Sequence, residues 1–404
     1  MAEREPTGLI VLLGSLTAIA PMSIDMYLPS FPVLTQALGT DAAAVQRTLS
    51  VFFIGLALGQ LVYGPVSDRV GRRRPLLAGL ALYTAASIGC ALAGSIGQLV
   101  FWRGLQALGG CAGVVMARAV VRDVFGPREQ ARVLSSLLLV MGVAPILAPL
   151  VGGWLLTVAG WRAIFGVLVV FGAVTWIAVL RALPDTAPES RATTLTPAGV
   201  VAAFGRVARD GRFRRFAVAG GLGQCVLFAY IAGAPFLYIE TLDLTPAAFA
   251  GVFGVNAAGL IGASQLNRAL LRRAETAQVL RGALGLQVIA TAALAVAASF
   301  VSPSLVTLGG PVLLAIMLLG FILPNTTALA LAPFDRDAGT ASALLGCLQY
   351  GMSGLATLGI AMAFDGTPRP MAMAMTLCAG AALVLAVLPG RRANQQAHPP
   401  STGV

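Results

Sequence analysis

The 404-residue chain contains no lysine, has one histidine (His398, in the polar tail "ANQQAHPPSTGV"), and only 11% of its residues are charged. An ordinary soluble domain carries about 25% charged residues, so this scarcity, beside 57% hydrophobic residues, argues for a polytopic membrane protein. The five cysteines, Cys90, Cys111, Cys225, Cys347 and Cys378, all fall in apolar stretches without metal-like spacing. Neither a disulfide framework nor a metal site is expected. No paired acids occupy the apolar stretches, and no G-x-x-x-x-G-K-[ST] loop exists to hold ATP. An enzyme and a cofactor are therefore not expected. The formal net charge of +11 comes from 27 arginines against 16 acids. These arginines stand in short runs between apolar stretches, which marks cytoplasmic loops and makes nucleic acid an unexpected partner.

What the chain has in quantity is apolar length. About 20 residues at 1.5 Å rise cross a hydrocarbon layer of about 30 Å. That ruler predicts twelve spans, near 8–28, 47–67, 74–95, 97–121, 134–158, 162–183, 213–238, 247–267, 280–301, 304–329, 338–362 and 369–389. The opening "MAEREPTG" leads into the first without a convincing cleavage site, so a retained helix is expected. The longest polar interruption, Pro184 to Arg212, contains "PDTAPESRATTLTP" and divides the chain. The expected organisation is an all-α bundle of two six-helix halves, 1–183 and 213–389, with a cytoplasmic linker at 184–212 and a disordered tail at 390–404. When loops alternate between sides, 23 arginines fall on the side of the termini and three, Arg47, Arg162 and Arg369, on the other, with Arg103 inside a span. Both termini are therefore expected in the cytoplasm. A weak repeat supports related halves: "SDRVGRRR" (67–74) returns as "LNRALLRR" (266–273), with Asn267 in the place of Asp68. Two such halves around a midplane site are transporter architecture.

Four features carry the chemistry. In "SIDMYLPSFP" (23–32), Asp25 is a carboxylate within an apolar segment, where a charge costs a few kcal/mol, about 3 by lenient estimates. It is either a hydrated helix-end residue or a group that exchanges a proton as each side opens. In "FWRGLQALGG", Arg103 with Gln106 either snorkels to an interface or serves the same chemistry. In "APILAPLVGGWL", Pro145, Pro149, Gly152 and Gly153 make a kinked, closely packed span. In "GPVSDRVGRRRP", Gly64, Asp68, Arg69, Gly71, Arg72 and Arg73 form a charged loop between spans two and three. Further polar residues within spans, among them Gln224, Tyr230, Asn325 and Gln349, are either glue between helices or the lining of a cavity.

The loop pattern G-x-x-x-D-R-x-G-R-R resembles the signature of the major facilitator superfamily. "DMYLPSFP", "RAVVRDVF", "APILAP", "PFLYIE", "GFILPNTTALAL" and "GTASALLGCLQ" together resemble its bicyclomycin/chloramphenicol resistance (Bcr/CflA) branch of drug:proton antiporters, over essentially the whole chain. The resemblance implies export of small amphiphilic drugs by alternating access, coupled to protons, by a monomer in the lipid bilayer of a bacterial inner membrane. It implies that Asp25 is the principal proton and cation site and that Arg103, in a pattern like R-x-x-Q-G, modulates it. It implies a gate in which Asp68 faces the start of helix eleven near Ala338 to Thr340, and Arg72 or Arg73 pairs with Asp123. The A-P-x-x-G-G order across Ala148 to Gly153 resembles an antiporter motif, with Ala148 in place of its first glycine. Tyr27, Gln106, Gln224, Tyr230, Asn325 and Gln349 are the residues expected at the substrate cavity. The alternative is a transporter of a metabolite such as an amino acid, nucleoside or sugar.

Overall fold

The computed structural model describes residues 6–183, 197–334 and 337–388. The first part of the expected linker, 184–196, and the expected tail, 390–404, lie outside the described residues. Twelve helices are long and apolar enough to cross a membrane. Spans 1 to 6 are Gly8–Ala37, Ala42–Val70, Arg73–Leu92, Ile96–Val124, Arg132–Ala159 and Trp161–Ala182. Spans 7 to 12 are Gly211–Thr241, Pro246–Leu270, Thr276–Phe300, Leu305–Leu331, Ala338–Met362 and Arg369–Val387. Large apolar side chains such as Leu139, Trp154, Val174 and Leu377 are exposed on the outside of the bundle, as a lipid-facing surface requires.

Span ends follow local chemistry. Asp41, Ser95, Asp210 and Thr245 each cap a helix by accepting a backbone N–H from three residues on. Pro246 and Pro127 occupy first-turn positions, where the missing N–H is no loss. The first span departs most from expectation: it runs to Ala37, not to residue 28. Its backbone turns at Leu28–Ser30 and continues as helix Phe31–Ala37, because Pro29 and Pro32 fall at the starts of those two segments and are tolerated there. Asp25, the last residue of helix Pro6–Asp25, therefore lies where the helix breaks within the span and not at the end of the span. The Asp41 cap also starts span 2 at Ala42, ahead of the expected start at Arg47.

Packing repeats between the halves. Span 1 lies against spans 4, 5 and 6, span 4 against 2 and 3, and span 3 against 6; spans 7 to 12 repeat every one of these pairings in the same order. Across the boundary, span 2 runs along span 11 and span 8 along span 5, which is the same pairing under the twofold. Phe53 meets Phe228 at 4.0 Å between ring centroids, and Phe31 meets Phe236 at 5.9 Å, so aromatic rings join the halves. Within the second part of the expected linker, Pro197–Arg209 is a helix whose Val207 is buried against Phe213, Ala341 and Leu345.

Candidate functional site

The loop after span 2 begins at Gly71, whose φ of 84° lies in the region that favours glycine. The turn swings Arg72 back under the last turn of span 2, where it is 2% exposed. Its guanidinium holds Asp68 at 2.5 Å and Ser67 at 2.7 Å through Nη1, and Asp123, at the end of span 4, at 2.8 Å through Nε. One planar fork thus ties two span ends together, a geometry a lysine cannot reproduce. Arg73 donates to the carbonyl of Leu180 at the end of span 6. Asp68 does not meet the start of span 11: among the described residues nothing from Ala338 to Thr340 bonds to it. Arg72 captures it within its own loop, since a full charge at 2.5 Å outweighs the partial charges of a helix end. Span 11 instead begins beside Arg122, whose Nη1 is 3.5 Å from where a side chain on Gly339 would begin, and Asp337 pairs with Arg206 at 3.3 Å.

Within span 1 Asp25 is 3% exposed, and its Oδ1 has no hydrogen-bond partner. Arg103, wholly buried on span 4, does not bond to it. Arg103 Nη1 donates to the carbonyl of Ser23 (3.0 Å) and to Gln106 Oε1 (2.6 Å), and Gln106 passes the chain on to Ser87 at 2.8 Å. The guanidinium carbon stands 4.1 Å from the Phe52 ring centroid and 4.9 Å from that of Tyr27, so aromatic faces replace an anion around the charge. Its Nε and Nη2 are without partners. Ser23 Oγ and Tyr83 OH share a hydrogen bond at 2.8 Å, and Tyr27 OH and Thr48 Oγ1 another at 3.1 Å. Gln106 and Tyr27 are therefore structural parts of this buried network in the present conformation and do not face an open cavity.

From the second half, Tyr230 on span 7 is within electrostatic range of Asp25 and accepts from Asn256 Nδ2 at 2.9 Å. Tyr238, also buried, has an unpartnered hydroxyl. Gln224 and Gln349 are half-buried. Asn325 is not at a cavity. It is 1% exposed and exchanges two amide hydrogen bonds, 2.9 and 3.4 Å, with Asn267, because two facing amides satisfy each other where no water reaches. On span 5, Pro145 and Pro149 lie inside a continuous helix, Gly152 lets that helix touch the carbonyl of Met26, and Gly153 faces Pro246 of span 8. The antiporter-like motif thus abuts the residue that follows Asp25. The network partners Ser23, Thr48, Tyr83, Ser87 and Asn256 are not among the expected site residues, although Tyr83 and Ser87 stand four apart on one helix face.

Twelve spans in two twofold-related halves, with the buried carboxylate of Asp25 within span 1 at their boundary, define a membrane transporter for small molecules. The chain belongs to the Major Facilitator Superfamily, whose sequence profile matches residues 13–357. It is 37% identical over 347 residues to an uncharacterized MFS-type transporter, YdgK, of Bacillus subtilis (strain 168), covering 85% of this chain and 86% of that one. It is 29% identical to a bicyclomycin resistance protein homolog of Haemophilus influenzae, covering 96% of each. It is 30% identical to a chloramphenicol resistance protein of Pseudomonas aeruginosa, covering 90% of this chain and 86% of that one. The resemblance to the bicyclomycin/chloramphenicol branch accordingly stands. A solved D-xylose-proton symporter shares the fold, with a TM-score of 0.74 at 15% identity, covering 95% of this chain and 98% of that one.

Proposed function

We propose that this protein is a proton-coupled exporter of small amphiphilic antibiotics, of the kind for which its bicyclomycin- and chloramphenicol-resistance relatives are named. It works as a monomer by alternating access between halves 1–183 and 213–389, with the linker 184–212, the tail 390–404 and both termini in the cytoplasm of a bacterial inner membrane. The observation that carries the reading is Asp25: a 3% exposed carboxylate with an unpartnered oxygen, on the boundary between halves and close to Tyr230. A carboxylate in such surroundings is tolerated when it is neutral and destabilised when it is ionised without a partner. Binding and releasing a proton therefore changes how willingly the site stays closed to water. Arg103 acts as a positioning residue through Ser23, fixing the backbone two residues before the acid. The Asp68–Arg72–Asp123 cluster, with Arg69, Gly71 and Arg73 around it, latches the cytoplasmic ends of spans 2 and 4. Gln224 and Gln349, half-buried, face the space that opens.

Everted vesicles with an imposed pH gradient test this by following chloramphenicol uptake. Asp25→Asn abolishes proton-driven uptake while leaving downhill exchange. Full gradient-driven uptake in Asp25→Asn, with wild-type expression and folding, defeats the proposal.

A further inference from the structure

Arg118 sits six residues before the end of span 4, on a stripe with Cys111, Val115 and Arg122 set by intervals of four, three and four. Both ends of that stripe are fixed against named neighbours. Cys111 Sγ lies 3.3 Å from the carbonyl of Leu56 on span 2, and Arg122 Nη1 lies 3.5 Å from the side-chain position of Gly339 on span 11. Spans 2 and 11 meet at the boundary between the halves, so Arg118 faces that boundary and not lipid. It is exposed, and it is within electrostatic range of Cys111 on its own helix and of Tyr350 on span 11. Tyr350 leads inward: its ring is 5.9 Å from Phe228 and half-buried Gln349 adjoins it.

This charge is uncompensated. Ion pairs among the described residues join Arg72, Arg122 and Arg206 to acids, and none reaches Arg118. The neighbouring stretches, 53–67 of span 2 and 338–362 of span 11, contain no charged residue, and Asp68, which follows on span 2, is held by Arg72. Of the other guanidiniums within span 4, Arg103 is wholly buried and Arg122 pairs with Asp123 at 3.8 Å, which leaves Arg118 as the exposed arginine of this span without an acid partner among the described residues.

We propose that Arg118 is a charge filter on the substrate path, admitting uncharged amphiphiles and excluding lipophilic cations. The inference rests on the drug-export reading and names its substrate class. A monocation passing within about 6 Å of an unpaired guanidinium, in a partly desolvated passage, is disfavoured by about tenfold to a hundredfold, whereas an uncharged molecule meets no such barrier. The acids at this end of spans 2 and 4, Asp68 and Asp123, are already paired with Arg72 and Arg122, so they do not offset that repulsion for a cation on its way in.

Two measurements test it. In proteoliposomes, with the native cysteines replaced and Val115→Cys introduced one turn from Arg118, thiol-labelling rates are compared for an anionic sulfonate and a cationic trimethylammonium methanethiosulfonate. The anionic reagent is favoured about tenfold over its ratio at a free thiol. Arg118→Gln removes the preference, and Arg118→Lys keeps it. A preference indifferent to Arg118→Gln overturns the filter. In everted vesicles, wild type moves chloramphenicol in preference to tetraphenylphosphonium, and Arg118→Gln raises the cation-to-neutral ratio about tenfold. Equal transport of both by wild type overturns the filter as well. If labelling shows the preference while neither compound is moved, the filter stands as an electrostatic fact and the drug-export reading fails. Should Arg118→Gln not fold, the wild-type and Arg118→Lys labelling ratios still decide, because a ratio near that of a free thiol in both refutes the filter.

Discussion

Two adjacent glycines on span 5 should respond oppositely to the same substitution. A methyl group at Gly152 would overlap the carbonyl of Met26, and that obstacle is backbone, pinned in the turn that follows Asp25. A methyl at Gly153 would stand 3.6 Å from the carbonyl of Pro246, an ordinary contact. Alanine in a helix interior is favoured over glycine by about 0.5–1 kcal/mol. Overpacking against an unyielding neighbour costs about 1–3 kcal/mol. For Gly152→Ala the second term prevails and leaves a net loss of about 1–2 kcal/mol; at 1.4 kcal/mol per tenfold this is roughly a five- to thirtyfold shift in the affected equilibrium. For Gly153→Ala only the first term remains, so the protein is unchanged or slightly stabilised. Thermal unfolding of the purified proteins, followed through the four tryptophans, reads the stability difference, and chloramphenicol uptake reads the consequence at Asp25. A Gly152→Ala protein as stable and active as wild type, or a Gly153→Ala protein equally impaired, would refute the close approach of span 5 to Met26.

Arg103→Lys keeps the charge but cannot bond Ser23 and Gln106 while lying flat between Phe52 and Tyr27, so uptake falls about tenfold or more, measured in the same vesicles. In the latch, Asp123→Asn impairs transport more than Asp68→Asn, because the Asp123 side chain is 21% exposed and that of Asp68 is 43% exposed; equal effects would remove the ranking. Asn325→Ala leaves the Asn267 amide buried without its partner and costs about 1–3 kcal/mol, and a thermal double-mutant cycle with Asn267→Ala shows strong coupling. Arg369→Gln, on the side with few arginines, lowers the melting temperature, and Arg369→Lys does not restore it fully.

Twelve spans and their division were legible because a membrane admits only helices of a minimum apolar length, and composition alone reveals such runs. Span 1 was not, since Pro29 and Pro32 read as a helix end and only the three-dimensional path shows both at first-turn positions. The Asp123 pairing was legible through the resemblance of the loop to the superfamily signature, which left the choice between Arg72 and Arg73 open. The partners of Asp68 and Asn325 were not, because a choice between two nearby acceptors depends on distances of an ångström or so. Buried hydroxyls such as Ser23 and Thr48 leave no mark in an apolar sequence: serine and threonine in a membrane helix bond most often to their own backbone, as both do here as well.

The missing lysines and the misplaced arginines have a common physical basis. Arg73 and Arg162, at the starts of spans 3 and 6, each donate to the carbonyls that end the other span, at Leu180 and Ala93. Arg281 and Arg369, at the starts of spans 9 and 12, repeat the arrangement with Ala386 and with Ala298 and Ser299. The last carbonyls of a helix lack intrahelical partners and carry partial negative charge, so a guanidinium there satisfies acceptors and opposes the dipole together. An antiparallel pair stapled in this way needs an arginine at each face. Two of the three arginines on the sparse side, Arg162 and Arg369, are those staples, related to each other by the twofold. Their position follows from helix ends, and the charge bias of the loops from the membrane potential and insertion machinery. A planar fork that reaches two carbonyls, as Arg369 and Arg215 do, explains why arginine and not lysine fills these places.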